Sequence, residues 1–121
     1  MIKIICVGKI KEKYLTDLIN DYKTRITKYQ KIEIIELKDN NIESESNEIL
    51  NNLIDSKFTS GYNTITFIIG GSNGVNEVVK KNVQMLLSFS DMTFPHGLFR
   101  GILLEQIYRS FKILNNESYH K

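Results

Sequence analysis

A chain of 121 residues, 41% hydrophobic and 25% charged, has room for a single globular domain with one core and no more. Its formal charge of +2 is too small for a protein that grips nucleic acid by bulk electrostatics, so any RNA contact must come from a local patch or be shared across an oligomer. The lone cysteine, Cys6, excludes an internal disulfide, no His/Cys cluster points to a metal, and "MIKIICVGKIKEK" holds too short an apolar run for a signal peptide or membrane span; a cytoplasmic location is expected.

Ile2–Val7 reads as a buried strand, short, β-branched and stopped by Gly8. Cys6, inside it, is expected to be a buried and inert thiol. A helix follows, with Leu15, Leu18, Ile19, Tyr22, Ile26 and Tyr29 recurring at steps of three and four, and Asp17, Asp21, Lys23 and Arg25 on the other side. Lys31–Leu37 is a second strand. The polar stretch after it carries a short helix around Glu45–Ile54, and Thr64–Ile69 is a third strand, β-branched and uncharged.

"FIIGGSNGV", Phe67–Val75, then runs from the strand into glycines. It is neither the G-x-G-x-x-G dinucleotide fingerprint nor a P-loop, and with no lysine or arginine in the loop it is unsuited to a polyphosphate. Two readings stay open: a flat ligand at the carboxyl end of a strand, or a tight turn that needs glycine's positive φ.

Beyond the loop, a helix is expected over Val75–Leu87 with Val78, Val79, Val83, Leu86 and Leu87 inward. "LSFSDMTF" is a short extended piece, and Pro95, the only proline, suits the first position of a last helix over His96–Leu114. Phe99, Ile102, Leu103, Ile107, Phe111 and Leu114 mark its apolar face. On it, Glu105 and Arg109 can pair and Lys112 suits the carboxyl terminus. Strands alternating with helices imply an α/β fold, a mostly parallel sheet flanked by helices on both faces.

"KIICVGKIKEKYL", "IEIIEL", "FIIGGSNGV", "LSFSDMTFPH", "ILLEQIYR" and the terminal "YHK" together, and in matching order, resemble the bacterial large-subunit ribosomal RNA pseudouridine N3-methyltransferase family of the SPOUT superfamily. The resemblance implies a C-terminal trefoil knot, a bent S-adenosylmethionine held against the knot loops, a homodimer with the cofactor pocket near its interface, and methylation of N3 of a pseudouridine in large-subunit rRNA on the assembled ribosome. Carried over by position, Gly70 matches a glycine that touches the cofactor, and Phe89, Ser90, Asp91, Met92, Thr93 and Phe94 match a second cofactor-contacting loop. Arg100, Tyr119 and His120 match positions expected near the substrate and are the implied catalytic set. His120 would act as a base or contact RNA, and Arg100 would hold a phosphate or a base carbonyl oxygen. Lys9, Lys11 and Lys13 read as a solvated helix start, with phosphate contacts the sharper alternative.

The chain departs from the family in one large respect. Between the second strand and "FIIGGSNG", family members carry a further strand, a loop and a helix, and that strand's end supplies a leucine to the adenosine part of the cofactor. Here the seam falls near Ser56–Ser60. Gly97 also stands where glutamine is usual, and Asp91 where a lysine or small residue is common. The alternative function is therefore a shortened, catalytically weak or inactive dimeric relative that keeps the knotted scaffold.

Overall fold

The computed structural model describes residues 1–38, 47, 49, 51, 64–71, 77–88 and 96–118. Three strands, β1 (Ile2–Val7), β2 (Ile32–Leu37) and β3 (Ile65–Ile69), form a wholly parallel sheet in the order β2-β1-β3. β1 is central. It aligns Ile2 with Ile32 and Ile65, and Cys6 with Glu36 and Ile69. All six of its residues are buried, which is why the run lacks polar alternation: a strand covered on both faces has no solvent side.

The register divides the side chains between two cores. Ile2, Ile4, Cys6, Ile32 and Ile69 pack with Ile19 and Ile26 of helix α1 (Lys13–Thr27) and with Leu103, Leu104 and Ile107 of the last helix, here α3 (His96–Leu114). Ile5 and Val7 turn the other way, against Ile49 and against Val79 of the short helix α2 (Glu77–Lys81). Helices thus flank both faces, as expected. Asn47, Ile49 and Asn51 are helical, in keeping with a helix around Glu45–Ile54.

α1 and α3 lie side by side in the same direction. A Cβ on Gly101 would stand 2.8 Å from Leu18 Cδ2, and one on Gly97 3.2 Å from Leu15 Cδ1, so the glycines permit the close approach of their amino-terminal halves. At the carboxyl-terminal halves Tyr108 meets Tyr22, and Phe111 stacks on Tyr29 with centroids 5.5 Å apart. Gly97, standing where glutamine is usual, is thus one of two glycines on the contact between the helices.

Two expectations are corrected. The helix foreseen over Val75–Leu87 is described only over Glu77–Lys81. Asn82 ends it, its N–H donating to Val79 O at 3.0 Å and its side-chain amide to Val78 O at 2.7 Å, a tightened turn that competes with helical continuation. Of the residues expected inward, Val79 is buried and Val83 half-buried, whereas Val78, Leu86 and Leu87 are exposed. On α3, Leu104 is fully buried and Leu114 is exposed, since the helix outruns the sheet at its carboxyl end. Most of the extended piece "LSFSDMTF" and Pro95 lie outside the described residues.

Candidate functional site

The carboxyl ends of the parallel strands form one edge, where open α/β sheets bind ligands. Gly70 stands there, one residue past the pairing of Ile69 with Cys6. Beside it, Gly8 closes β1 at φ 92°, a conformation that L side chains rarely adopt, and its N–H donates to Leu37 O at 2.8 Å. The Gly8 carbonyl accepts a hydrogen bond from Arg100 Nη2 at 3.1 Å.

Arg100 reaches this edge from the first turns of α3 with only 2% of its side chain exposed. Its Nη1 donates to Glu36 Oε2 at 2.7 Å, while Nε has no hydrogen-bond partner among the described residues. Glu36 falls on the α1/α3 side of β2 because it follows Ile34 by two, and it aligns with Cys6 on β1. Burial pushes the Cys6 thiol up to about 11, with the Arg100 charge opposing the shift and Glu36 reinforcing it; Sγ–H donates to Ile35 O at 3.4 Å. Cys6 is therefore the inert thiol expected of it, neutral throughout the physiological range.

The opposite end of the molecule holds a second polar group. Asn116, at φ 56°, closes α3 with its N–H on Ile113 O, and the Glu117 N–H returns to Lys112 O at 2.9 Å. The Glu117 carboxylate accepts from Lys112 Nζ at 2.9 Å and from the Tyr29 hydroxyl at 3.0 Å. The hydrogen bond to Lys112 first, and that to Tyr29 next, hold the Glu117 carboxyl below its ordinary value of 4.5, and the same pair raises Lys112. Arg25 lies over the Tyr22 and Tyr108 rings at 5.5 and 5.6 Å. The expected Glu105–Arg109 pair is present at 3.0 Å.

Of the residues anticipated for the site, Gly70 and Arg100 are brought to one edge. Phe89, Ser90, Asp91, Met92, Thr93, Phe94, Tyr119 and His120 lie outside the described residues. Arg100, expected to hold a phosphate or a base carbonyl oxygen, has two of its nitrogens on the protein itself. Glu36, its partner, went unnoticed in the sequence, although an acid inside the apolar strand "IEIIEL" was a usable signal. Lys9 and Lys11, in the loop that leaves the same edge, and Lys13, the first residue of α1, are exposed. Among the described residues no helix is long and apolar enough to cross a membrane, and no three His, Cys, Asp or Glu side chains converge as for a metal.

A family profile described as "Predicted SPOUT methyltransferase" matches the chain over residues 1–52 and 43–120. The ribosomal RNA large subunit methyltransferase H of Fusobacterium nucleatum is 46% identical over 153 aligned residues, spanning 99% of both chains. The proteins of the same name from Clostridium botulinum (strain Okra) and Acetivibrio thermocellus are 43% and 41% identical over 157 aligned residues, again with 99% of each chain covered. These alignments are longer than the 121 residues present here, so the relatives carry an internal stretch that this chain lacks. The two family matches meet over 43–52, a little before the seam expected at Ser56–Ser60.

Proposed function

We propose, since the chain belongs to the ribosomal RNA large subunit methyltransferase H family of SPOUT methyltransferases, that it methylates N3 of a pseudouridine in large-subunit rRNA on the assembled ribosome. The observation that carries this reading is identity of 46% sustained across 99% of both chains, from the first strand to the terminal tail. S-adenosylmethionine supplies the methyl group when bound. The residues at the glycine edge fit such a ligand: it bears no phosphate, and Phe67–Val75 contains no lysine or arginine.

In this reading Gly70 lets backbone come against the cofactor, and Phe89–Phe94 supply further contacts to it. Methyl transfer in line needs alignment above all. His120 takes the proton from N3 of the target or holds the RNA in place, and Tyr119 steadies it. Arg100 acts from behind the edge, locking Gly8 and Glu36 together. Its Nε–H takes no part in this lock.

Glu117 is anchored at the far end of α3 from Arg100, and a helix of 19 residues spans about 28 Å. The tail thus starts far from the glycine edge of its own protomer, about 21 Å along the helix from Arg100. This favours the homodimer, and the exposed Met85, Leu86 and Leu87 offer apolar surface for it. The trefoil knot and a cytoplasmic setting belong to the same proposal.

The missing internal stretch favours a second reading, a scaffold with weak or no turnover. Calorimetric titration with S-adenosylmethionine separates the two. The methyltransferase reading predicts saturable binding by the dimer; a folded dimer that binds none supports the second.

A further inference from the structure

Between β1 and α1 the chain crosses residues 9–12 without regular structure, yet it is held at both ends and in the middle. At the near end Gly8 has its N–H on Leu37 O, and its carbonyl accepts from Arg100 Nη2. At the far end the Glu12 carbonyl accepts the Thr16 N–H at 3.1 Å. In the middle Ile10 packs on the α1/α3 core, where a Cβ on Gly97 would stand 3.9 Å from its Cγ1. Gly97 and Arg100 are three apart, so neighbouring positions on α3 hold the loop at two points.

Lys9 and Lys11, on either side of Ile10, are exposed, as is Lys13 at the head of α1. Glu12 is the only acid between Gly8 and Thr16, and none of the three ammonium groups has an ion pair among the described residues. Arg100, with 2% of its side chain exposed, offers no surface to a phosphate. Whatever it does to RNA passes through the groups it holds.

We propose that Arg100 and its partner Glu36 are positioning residues for rRNA docking: by fixing the Gly8 carbonyl they keep Lys9, Lys11 and Lys13 in a preset arrangement for backbone phosphates. This rests on the reading that rRNA is the substrate. A loop already ordered gives up less conformational entropy when RNA arrives, so its lysines hold more tightly than the same three on a loose chain. The effect belongs to ribosome affinity.

The test measures affinity for intact ribosomes by co-sedimentation over a range of salt concentrations, and needs no turnover. E36A and I10A loosen the loop at different anchors. Each is expected to weaken binding about five- to thirty-fold, the equivalent of ordering one more backbone residue. K9A/K11A/K13A should flatten the log–log salt slope by about two. The decisive comparison puts E36A or I10A into the K9A/K11A/K13A background, where neither should cost further affinity. A loss as large there as in the wild-type background overturns the proposal, because the lock then acts on something other than the lysines. Wild-type affinity in both single variants overturns it too. If K9A/K11A/K13A binds as the wild type does, the proposal fails while the rRNA reading stands; a wild-type chain that binds no ribosomes removes both. I10A leaves the Arg100–Glu36 pair intact, so it answers even where E36A folds poorly. Amide hydrogen exchange over 9–12 should be faster in I10A than in the wild type, and unchanged exchange contradicts the preset loop.

Discussion

At the residue scale, Arg100 brings a full charge into a place where 2% of its side chain meets solvent, and Glu36, 39% exposed, is the group that makes this tolerable. Removing the acid strands a buried guanidinium; replacing it by an amide keeps an acceptor in place. E36A is expected to lose about 2–3 kcal/mol of stability in urea unfolding and E36Q distinctly less, the half-open position of Glu36 keeping the figure below that of a fully buried pair. Equal stability of E36A and wild type would contradict the lock. Cys6, with no exposed surface, should resist a thiol reagent in the native state and react only at the rate of unfolding. Because its native value is raised to about 11 from 9.0, its contribution to stability is whole below 9.0 and is lost as the pH rises towards 11. Arg100 was legible in the sequence as a cation on an apolar helix, but its partner was not: pairing a residue on α3 with one on β2 needs the register of the sheet.

At the scale of elements, strands were readable to within a residue because short, β-branched runs have few alternatives. Ile32–Leu37 and Ile65–Ile69 each begin one residue inside the expected start. α2 was overread because adjacent valines, Val78 and Val79, satisfy an inward pattern on paper, while a helix turns only one of them to the core. The turn after α3 was invisible, since Asn116 and Glu117 look like an ordinary polar tail. Its energetics have a definite pH signature. The carboxyl of Glu117 is lowered in the native state, so the unfolded chain takes up its proton first as the pH falls; the stabilisation is complete above 4.5 and vanishes as the pH drops through the native value. The difference in thermal midpoint between wild type and E117A, small at pH 7, is expected to close below pH 4.5; a difference that persists there would place its origin in packing instead.

At the scale of the whole molecule, the glycine edge lies at one end and the Glu117 turn at the other, and the proposed function draws on both. Lys9, Lys11 and Lys13, exposed at the glycine edge, are suited to rRNA phosphates, which a net charge of +2 could not grip unaided. The triple variant K9A/K11A/K13A should raise KM for ribosomes and flatten its dependence on salt while leaving S-adenosylmethionine affinity alone; an unchanged salt slope would mean the lysines are only solvated. The missing internal stretch makes cofactor affinity the property most exposed to loss, because the two family matches meet at 43–52, in the sequence between β2 and β3, whose carboxyl ends belong to the edge where the cofactor is proposed to bind. The central claim is tested most directly by incubating the chain and isotopically labelled S-adenosylmethionine with intact ribosomes that lack the modification, then mapping the label. The account predicts one methyl group per ribosome, on N3 of a pseudouridine in the large-subunit rRNA. Label on another position, or none from a folded chain that binds the cofactor, would contradict it.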